Sequence, residues 1–130
     1  AATEDDEKAA MENTDRLDIP DGVEVYEIDG PFFFGLASRF EELEQMKKPG
    51  TKVRIIRMRK VPFIDSTGIN NLRNLCERTH KRGVTVILSG VTEKVHNSLV
   101  KFGVDLEIGP DHIFPHIVPA LEKARELVKK

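Results

Sequence analysis

An α/β fold is predicted for this chain: a small mixed sheet with parallel βαβ units and about four helices packed against it. Three observations predict it. From residue 23 to residue 128, segments of strand character alternate with amphipathic segments of helical period. Turn-forming residues punctuate the junctions, as Asp29-Gly30-Pro31, Pro49-Gly50, Arg82-Gly83, Ser89-Gly90 and Gly103. With 130 residues there is enough chain for one hydrophobic core, but too few strand segments for an eight-fold barrel.

Val23-Glu24-Val25-Tyr26-Glu27-Ile28 alternates apolar and polar residues, the period of a half-buried strand. After the turn at Asp29-Gly30-Pro31, Phe32-Phe33-Phe34 forms a second, short strand ended by Gly35. Leu36, Phe40, Leu43 and Met46 then mark an amphipathic helix to Lys48, stopped by Pro49-Gly50. Val53 to Met58 is rich in β-branched and apolar residues and reads as a central strand. The next helix runs to about His80, with Ile69, Leu72, Leu75 or Cys76, and Thr79 on one face and Arg82-Gly83 at its end. Val84 to Leu88 is another buried strand. Thr92 caps a helix over Glu93 to Phe102, with Val95, Leu99 and Phe102 inward and Gly103 after it. Leu106-Glu107-Ile108 reads as a short edge strand. The last helix is set from about Pro119 to Lys129, with Leu121, Ala124 and Val128 on one stripe.

Composition narrows the function classes. A single cysteine, Cys76, rules out an intrachain disulfide framework and a multi-cysteine zinc site. No apolar run reaches the roughly 20 residues of a membrane span. The first residues are acidic and polar, unlike a signal peptide, and the start at Ala1-Ala2 points to a processed or excised chain. Residues 1–21 hold eight acidic residues against Lys8 and Arg16, whereas the remainder holds 18 basic and 14 acidic. Residues 1–21 therefore read as a flexible acidic linker or tail, and residues 22–130 as the folded domain.

The stretch with most chemical content is Val61-Pro62-Phe63-Ile64-Asp65-Ser66-Thr67-Gly68, where a strand gives way to a helix. Such a corner gathers a carboxylate, two hydroxyls and unpaired backbone N–H groups at one exposed point. Ser66 reads as a helix N-cap or as a modifiable hydroxyl, with the cap favoured. Asp65 reads as an Asx-type turn or a partner contact. Thr67 shares the capping chemistry, and Gly68 allows close approach. Asp65, Ser66, Thr67 and Gly68 together form the candidate anion- or partner-contacting corner. No histidine or second acid stands near it in sequence, so a hydrolytic triad lacks support and no catalytic residue is assigned. A P-loop is absent, and nucleotide binding at the helix start is only weakly specified.

Phe32, Phe33 and Phe34 are a candidate docking surface, against the commoner role of core packing. Arg54, Arg57, Arg59 and Lys60 could meet phosphate or acidic partners, but ordinary solvated charge is the preferred reading. Basic and aromatic residues do not interleave as on a nucleic-acid platform. His112 and His116 are four apart but too few for a metal site, and Pro115 disturbs the spacing. No metal or other cofactor is expected. Cys76 reads as a buried, inert thiol.

From about Asp21 to Val128 the chain resembles a STAS domain, the family named for sulfate transporters and anti-sigma factor antagonists. The residues that carry the resemblance are the strand Val53–Met58, Phe63-Ile64-Asp65-Ser66-Thr67-Gly68, Leu72 with Arg82-Gly83, Val86 to Val91, Leu99 and Phe102-Gly103. The resemblance implies a STAS-like sheet with helices packed against it, in agreement with the element order. Within the family, Gly30-Pro31 followed by Phe32 to Gly35 is similar to the cytoplasmic C-terminal domain of SulP (sulfate permease) anion transporters. That similarity implies a non-enzymatic regulatory and interaction domain at the cytoplasmic face of the cell membrane. Its partner would be the membrane domain of its own transporter, with other regulatory proteins as further partners. The alternative is a soluble anti-sigma factor antagonist switched by phosphorylation of Ser66, the residue at the position that branch phosphorylates.

Overall fold

The computed structural model describes residues 17–29 and 50–129. Three strands, β1 (Val23–Asp29), β2 (Val53–Lys60) and β3 (Thr85–Ser89), form a parallel sheet in the order β1-β2-β3. Four helices follow from the corner onward: α1 (Ser66–Lys81), α2 (Glu93–Lys101), α3 (Val104–Ile108) and α4 (Ile117–Val128). A 3-10 turn, Pro110–His112, lies between the last two.

β2 is the central strand and is buried on both faces. Its residues from Val53 to Met58 are all buried, as a parallel strand covered by helices on two sides requires. Strand alternation divides the core in two. Ile56, Met58, Val86 and Leu88 face one layer, where Leu72 and Leu75 of α1, Val95 and Leu99 of α2, and Val104 of α3 close over them. Val53, Ile55 and Ile87 face the other, covered by Ile117, Ala120, Leu121 and Ala124 of α4. The sheet is thus sandwiched between helices, and β2, α1 and β3 make the expected βαβ unit.

The helical stripes account for the packing. Ile69, Leu72, Leu75, Cys76 and Thr79 are all buried along α1. Thr92 caps α2 as expected, its Oγ1 accepting from the Val95 N–H at 3.2 Å. α4 begins two residues before Pro119, which sits in the first turn where its missing N–H is harmless.

Three expectations are corrected. Leu106-Glu107-Ile108 is not an edge strand but part of α3, because Gly103 redirects the chain into a further helical turn. The place beside β3 goes instead to Ile113, which makes an isolated parallel bridge to Leu88. Phe102 does not point inward: it follows the end of α2 as the C-cap and is 39% exposed. Finally, Arg54 and Arg57 are not solvated strand-end charges, since each is only 1% exposed. The short strand at Phe32–Phe34, the helix over residues 36–48 and residues 1–16 lie outside the described residues. Of the acidic start, Leu17 packs on the α4-side cluster and the Asp18 carbonyl accepts from Arg125 Nη2 at 3.2 Å.

Arg54 is held in a polar knot on the α1 side. Its guanidinium donates to Thr79 Oγ1 at 3.3 Å, meets Glu24 Oε2 at 3.5 Å and lies 5.0 Å from the Tyr26 ring centre. Glu24 also accepts from the Tyr26 hydroxyl at 2.8 Å and from Thr51 at 2.7 Å. Burial, then the Glu24 hydrogen bond and charge, push the Tyr26 phenol up to about 12, with Arg54 opposing. The raised value means folding favours the neutral phenol, so this contribution is intact below pH 10 and is lost as pH rises through about 12. Tyr26 is the chain's only tyrosine, so its titration reads cleanly. We expect phenolate absorbance to appear near pH 12 in the folded chain; a transition near the ordinary value of 10.0 would show the knot is not formed.

Candidate functional site

The corner between β2 and α1 is built from two buried anchors and an exposed crest. Val61 and Ile64 are buried in the α1-side core, while Pro62, Phe63, Asp65, Ser66 and Thr67 are exposed. The chain leaves β2 through a turn closed by the Val61 N–H to Met58 carbonyl bond at 3.0 Å. Asp65 is then extended, at φ −95 and ψ −178, and α1 starts at Ser66.

The cap of α1 is Asp65 and not Ser66. Asp65 Oδ1 accepts from the Gly68 N–H at 2.8 Å, and the Asp65 carbonyl accepts the first helical bond from Ile69 at 2.8 Å. A carboxylate suits this place because the first turn of α1 holds no other acid to complement the helix dipole. Ser66 is the first helical residue, and neither its hydroxyl nor that of Thr67 makes the cap. Gly68 is buried in the first turn of α1. A variant pair separates the roles: Asp65→Ala should cost about 1 kcal/mol in urea denaturation, whereas Ser66→Ala should stay within about 0.5 kcal/mol.

The corner has an apolar neighbour. Phe63, two residues before the cap, is 41% exposed. The Lys94 ammonium of α2 lies 5.9 Å from its ring centre. That contact links the first turn of α2 to the segment that leads into α1. The corner thus has an exposed aromatic ring with a cation near it, followed three and four residues on by two exposed hydroxyls. Lys94 is not legible in the sequence as a neighbour of the corner, because its approach depends on how α2 packs.

The other candidates do not gather at the corner. A shallow cleft of about 210 Å³ opens between α1 and α3, lined by Arg73, Cys76, His80 and Glu107 among others. It offers no nucleophile, because burial and then the Glu107 and Glu77 charges push the Cys76 thiol up to about 12. Arg73 is committed to structure there, donating to Glu107 at 2.8 Å and to the Phe102 carbonyl at 2.8 Å. His112 lies in the 3-10 turn and His116 is the extended residue just before α4, so they share no helical face. Among the described residues, no group of three or more metal-ligating side chains is found. No helix among them is long and apolar enough to cross a membrane. Phe32, Phe33 and Phe34 lie outside the described residues.

Comparison with known proteins agrees with this architecture. The family model for the STAS domain matches residues 16–120. A sulfate transporter family protein from Wolinella succinogenes has 42% identity, with 91% of this chain and 97% of that one covered at a TM-score of 0.85. The STAS domain of a SulP transporter from Vibrio cholerae has 32% identity, covering 94% and 95% of the two chains at a TM-score of 0.78. YvdB of Bacillus subtilis, provisionally named a sulfate transporter, is 33% identical over 97 residues. That match takes in 72% of this chain but only 18% of YvdB. The chain belongs to the STAS domain family, and its relatives include the STAS domains of SulP transporters.

Proposed function

We propose that this STAS domain is a non-enzymatic regulatory and interaction module of a SulP-type sulfate or other anion transporter. It would stand at the cytoplasmic face of the cell membrane and dock on the membrane domain of its own transporter through the Phe63–Gly68 corner. The observation that carries the reading is Phe63, a large aromatic 41% exposed in the segment that leads to two exposed hydroxyls outside the cap. An exposed ring with polar neighbours suits the centre of a small interface, where aromatic residues supply most of the binding energy. The relatives add the context, since YvdB carries a transporter name and is much longer than this chain. Phe32, Phe33 and Phe34 are proposed as a further docking contact.

The experiment is anion uptake by the intact parent protein. Phe63→Ser and Thr67→Arg should change the uptake rate at least a few-fold while leaving the amount of protein in the membrane unchanged. Buried-core variants would lower both together, and unchanged uptake in both corner variants would remove the reading.

A second reading is favoured by one observation, the exposure of Ser66 at the first position of α1. A phosphate there would meet the helix dipole while Asp65 repelled it. In this reading the chain is an anti-sigma factor antagonist and Ser66 its switch. Incubation with a cognate kinase followed by mass spectrometry decides it, with phosphate found on wild type and absent from Ser66→Ala.

A further inference from the structure

The three strands are parallel, so their N-terminal ends share one edge of the sheet, with Val23, Val53 and Thr85 in register. The corner stands beyond the opposite end of β2. Lys52 sits at the middle of the N-terminal edge. Its N–H donates to the Gly22 carbonyl at 2.8 Å, and its carbonyl accepts from the Thr85 N–H at 2.9 Å. A helix from each face ends at this edge. The Val84 N–H donates to the Thr79 carbonyl of α1 at 3.2 Å, so Lys81 and Arg82 lie just before the start of β3. On the other face α4 ends against Gly22, where a Cβ would lie 3.5 Å from Val128 Cγ1, and Lys129 follows.

Lys52, Lys81, Arg82 and Lys129 are all exposed. Arg82 already has an interaction of its own. The three lysines form no ion pair among the described residues. The exposed carboxylate at the edge is Asp21, next to Gly22. One turn back along the two helices the signs balance, with Arg78 and Arg125 against Glu77 and Glu126. Lys81 and Lys129 also stand at helix C-termini, whose partial negative charge offsets part of theirs, but Lys52 has no such counterweight. The edge therefore carries a surplus of positive charge.

The chain's surplus of negative charge is joined to this same edge. Residues 1–16 hold Glu4-Asp5-Asp6-Glu7, Glu12 and Asp15 against only Lys8 and Arg16. They lead into Leu17, packed on the α4-side cluster, and Asp18, whose carbonyl accepts from Arg125 Nη2 at 3.2 Å. Gly22 then enters β1 at the edge itself. Glu7 is ten residues before Leu17, a reach of up to about 35 Å, whereas neighbouring strand starts are about 5 Å apart. A short tether of this kind holds the acidic run at an effective concentration of order millimolar, which a free acidic partner has to exceed.

We propose that the acidic run Glu4–Glu7 docks on the lysines at the N-terminal edge of the sheet, Lys52, Lys81 and Lys129, within one chain. The contact is electrostatic and salt-sensitive, and while it is made this end is closed to other anionic partners. It lies at the opposite end of the sheet from the corner and does not depend on what the corner docks.

The test is paramagnetic broadening in the full chain, with a nitroxide on Thr3→Cys. Cys76 stays unlabelled, because it is buried and its thiol is pushed up to about 12. At low salt the amides of Lys52, Lys81, Gly83 and Lys129 should broaden severalfold more than those of Ser66 and Thr92 at the other end. The difference should vanish at about 1 M sodium chloride, where charges are screened beyond about 3 Å. Lys52→Glu with Lys81→Glu should give the same loss at low salt. If that double variant does not fold, Glu4→Gln, Asp5→Asn, Asp6→Asn and Glu7→Gln together decide. Equal broadening at both ends, no broadening, or broadening that survives salt or the charge substitutions would overturn the proposal. Broadening passed from spin-labelled chains to isotope-labelled chains without a nitroxide would assign the edge to a second copy, and overturns it too.

Discussion

Gly90→Ala should be among the most damaging single substitutions in this domain. Gly90 follows β3 with φ +66, a conformation that costs an L-residue about 1–2 kcal/mol. A Cβ there would also lie 2.6 Å from the Arg59 backbone nitrogen and 2.8 Å from its Cα. That contact is with backbone, so it cannot be relieved by rotating a side chain, and overpacking of this kind costs about 1–3 kcal/mol. The two effects add to roughly 2–5 kcal/mol, or about 10 °C or more in melting temperature for a domain of this size. Gly103→Ala is the control, because its φ of +73 is similar but a Cβ there meets nothing within 4 Å. Thermal unfolding should therefore show a clearly larger loss for Gly90→Ala, and equal losses would mean the strand ends are not packed this closely.

Glu24→Gln should be of comparable cost, for an electrostatic reason. The substitution keeps the size of the side chain but removes the carboxylate that faces Arg54, whose side chain is 1% exposed against 10% for Glu24. Breaking a buried pair from one side leaves a desolvated charge and costs about 3–5 kcal/mol. Removing both charges, as Glu24→Gln with Arg54→Met, avoids that penalty. The double variant should therefore be more stable than the sum of the single losses predicts, with a coupling of about 1–3 kcal/mol. Additive losses in denaturant unfolding would show that Glu24 and Arg54 act independently.

The arginines also mark the limit of what the sequence makes legible. The alternation of β1, the apolar run of β2 and the stripe of α1 each follow a period that one element sets alone, and all were readable. The burial of Arg54 and Arg57 was not, because it depends on which strands and helices lie above them. Their parity in β2 held a usable signal: Arg54 shares a face with Ile56 and Met58, and Arg57 with Val53 and Ile55. Leu106-Glu107-Ile108 misled because three residues are too few for a period, and Gly103 can turn the chain into helix or strand alike. At the corner, Asp65 and Ser66 are both good caps, so composition cannot choose between them. Geometry chooses Asp65, since its Oδ1 reaches the Gly68 N–H at 2.8 Å. The exposure of Phe63 was hidden in a segment with buried neighbours on both sides, Val61 and Ile64.

That exposure makes the corner the centre of the functional account, and photo-crosslinking in the parent protein tests it most directly. A photoreactive residue at Thr67, beside Phe63, is compared with one at Glu122, exposed on α4 across the sheet. Docking through the corner predicts an adduct from Thr67 to a membrane-spanning segment of the same transporter, and little or none from Glu122. Equal adducts from both positions, or capture of a separate protein by Thr67 alone, would contradict it.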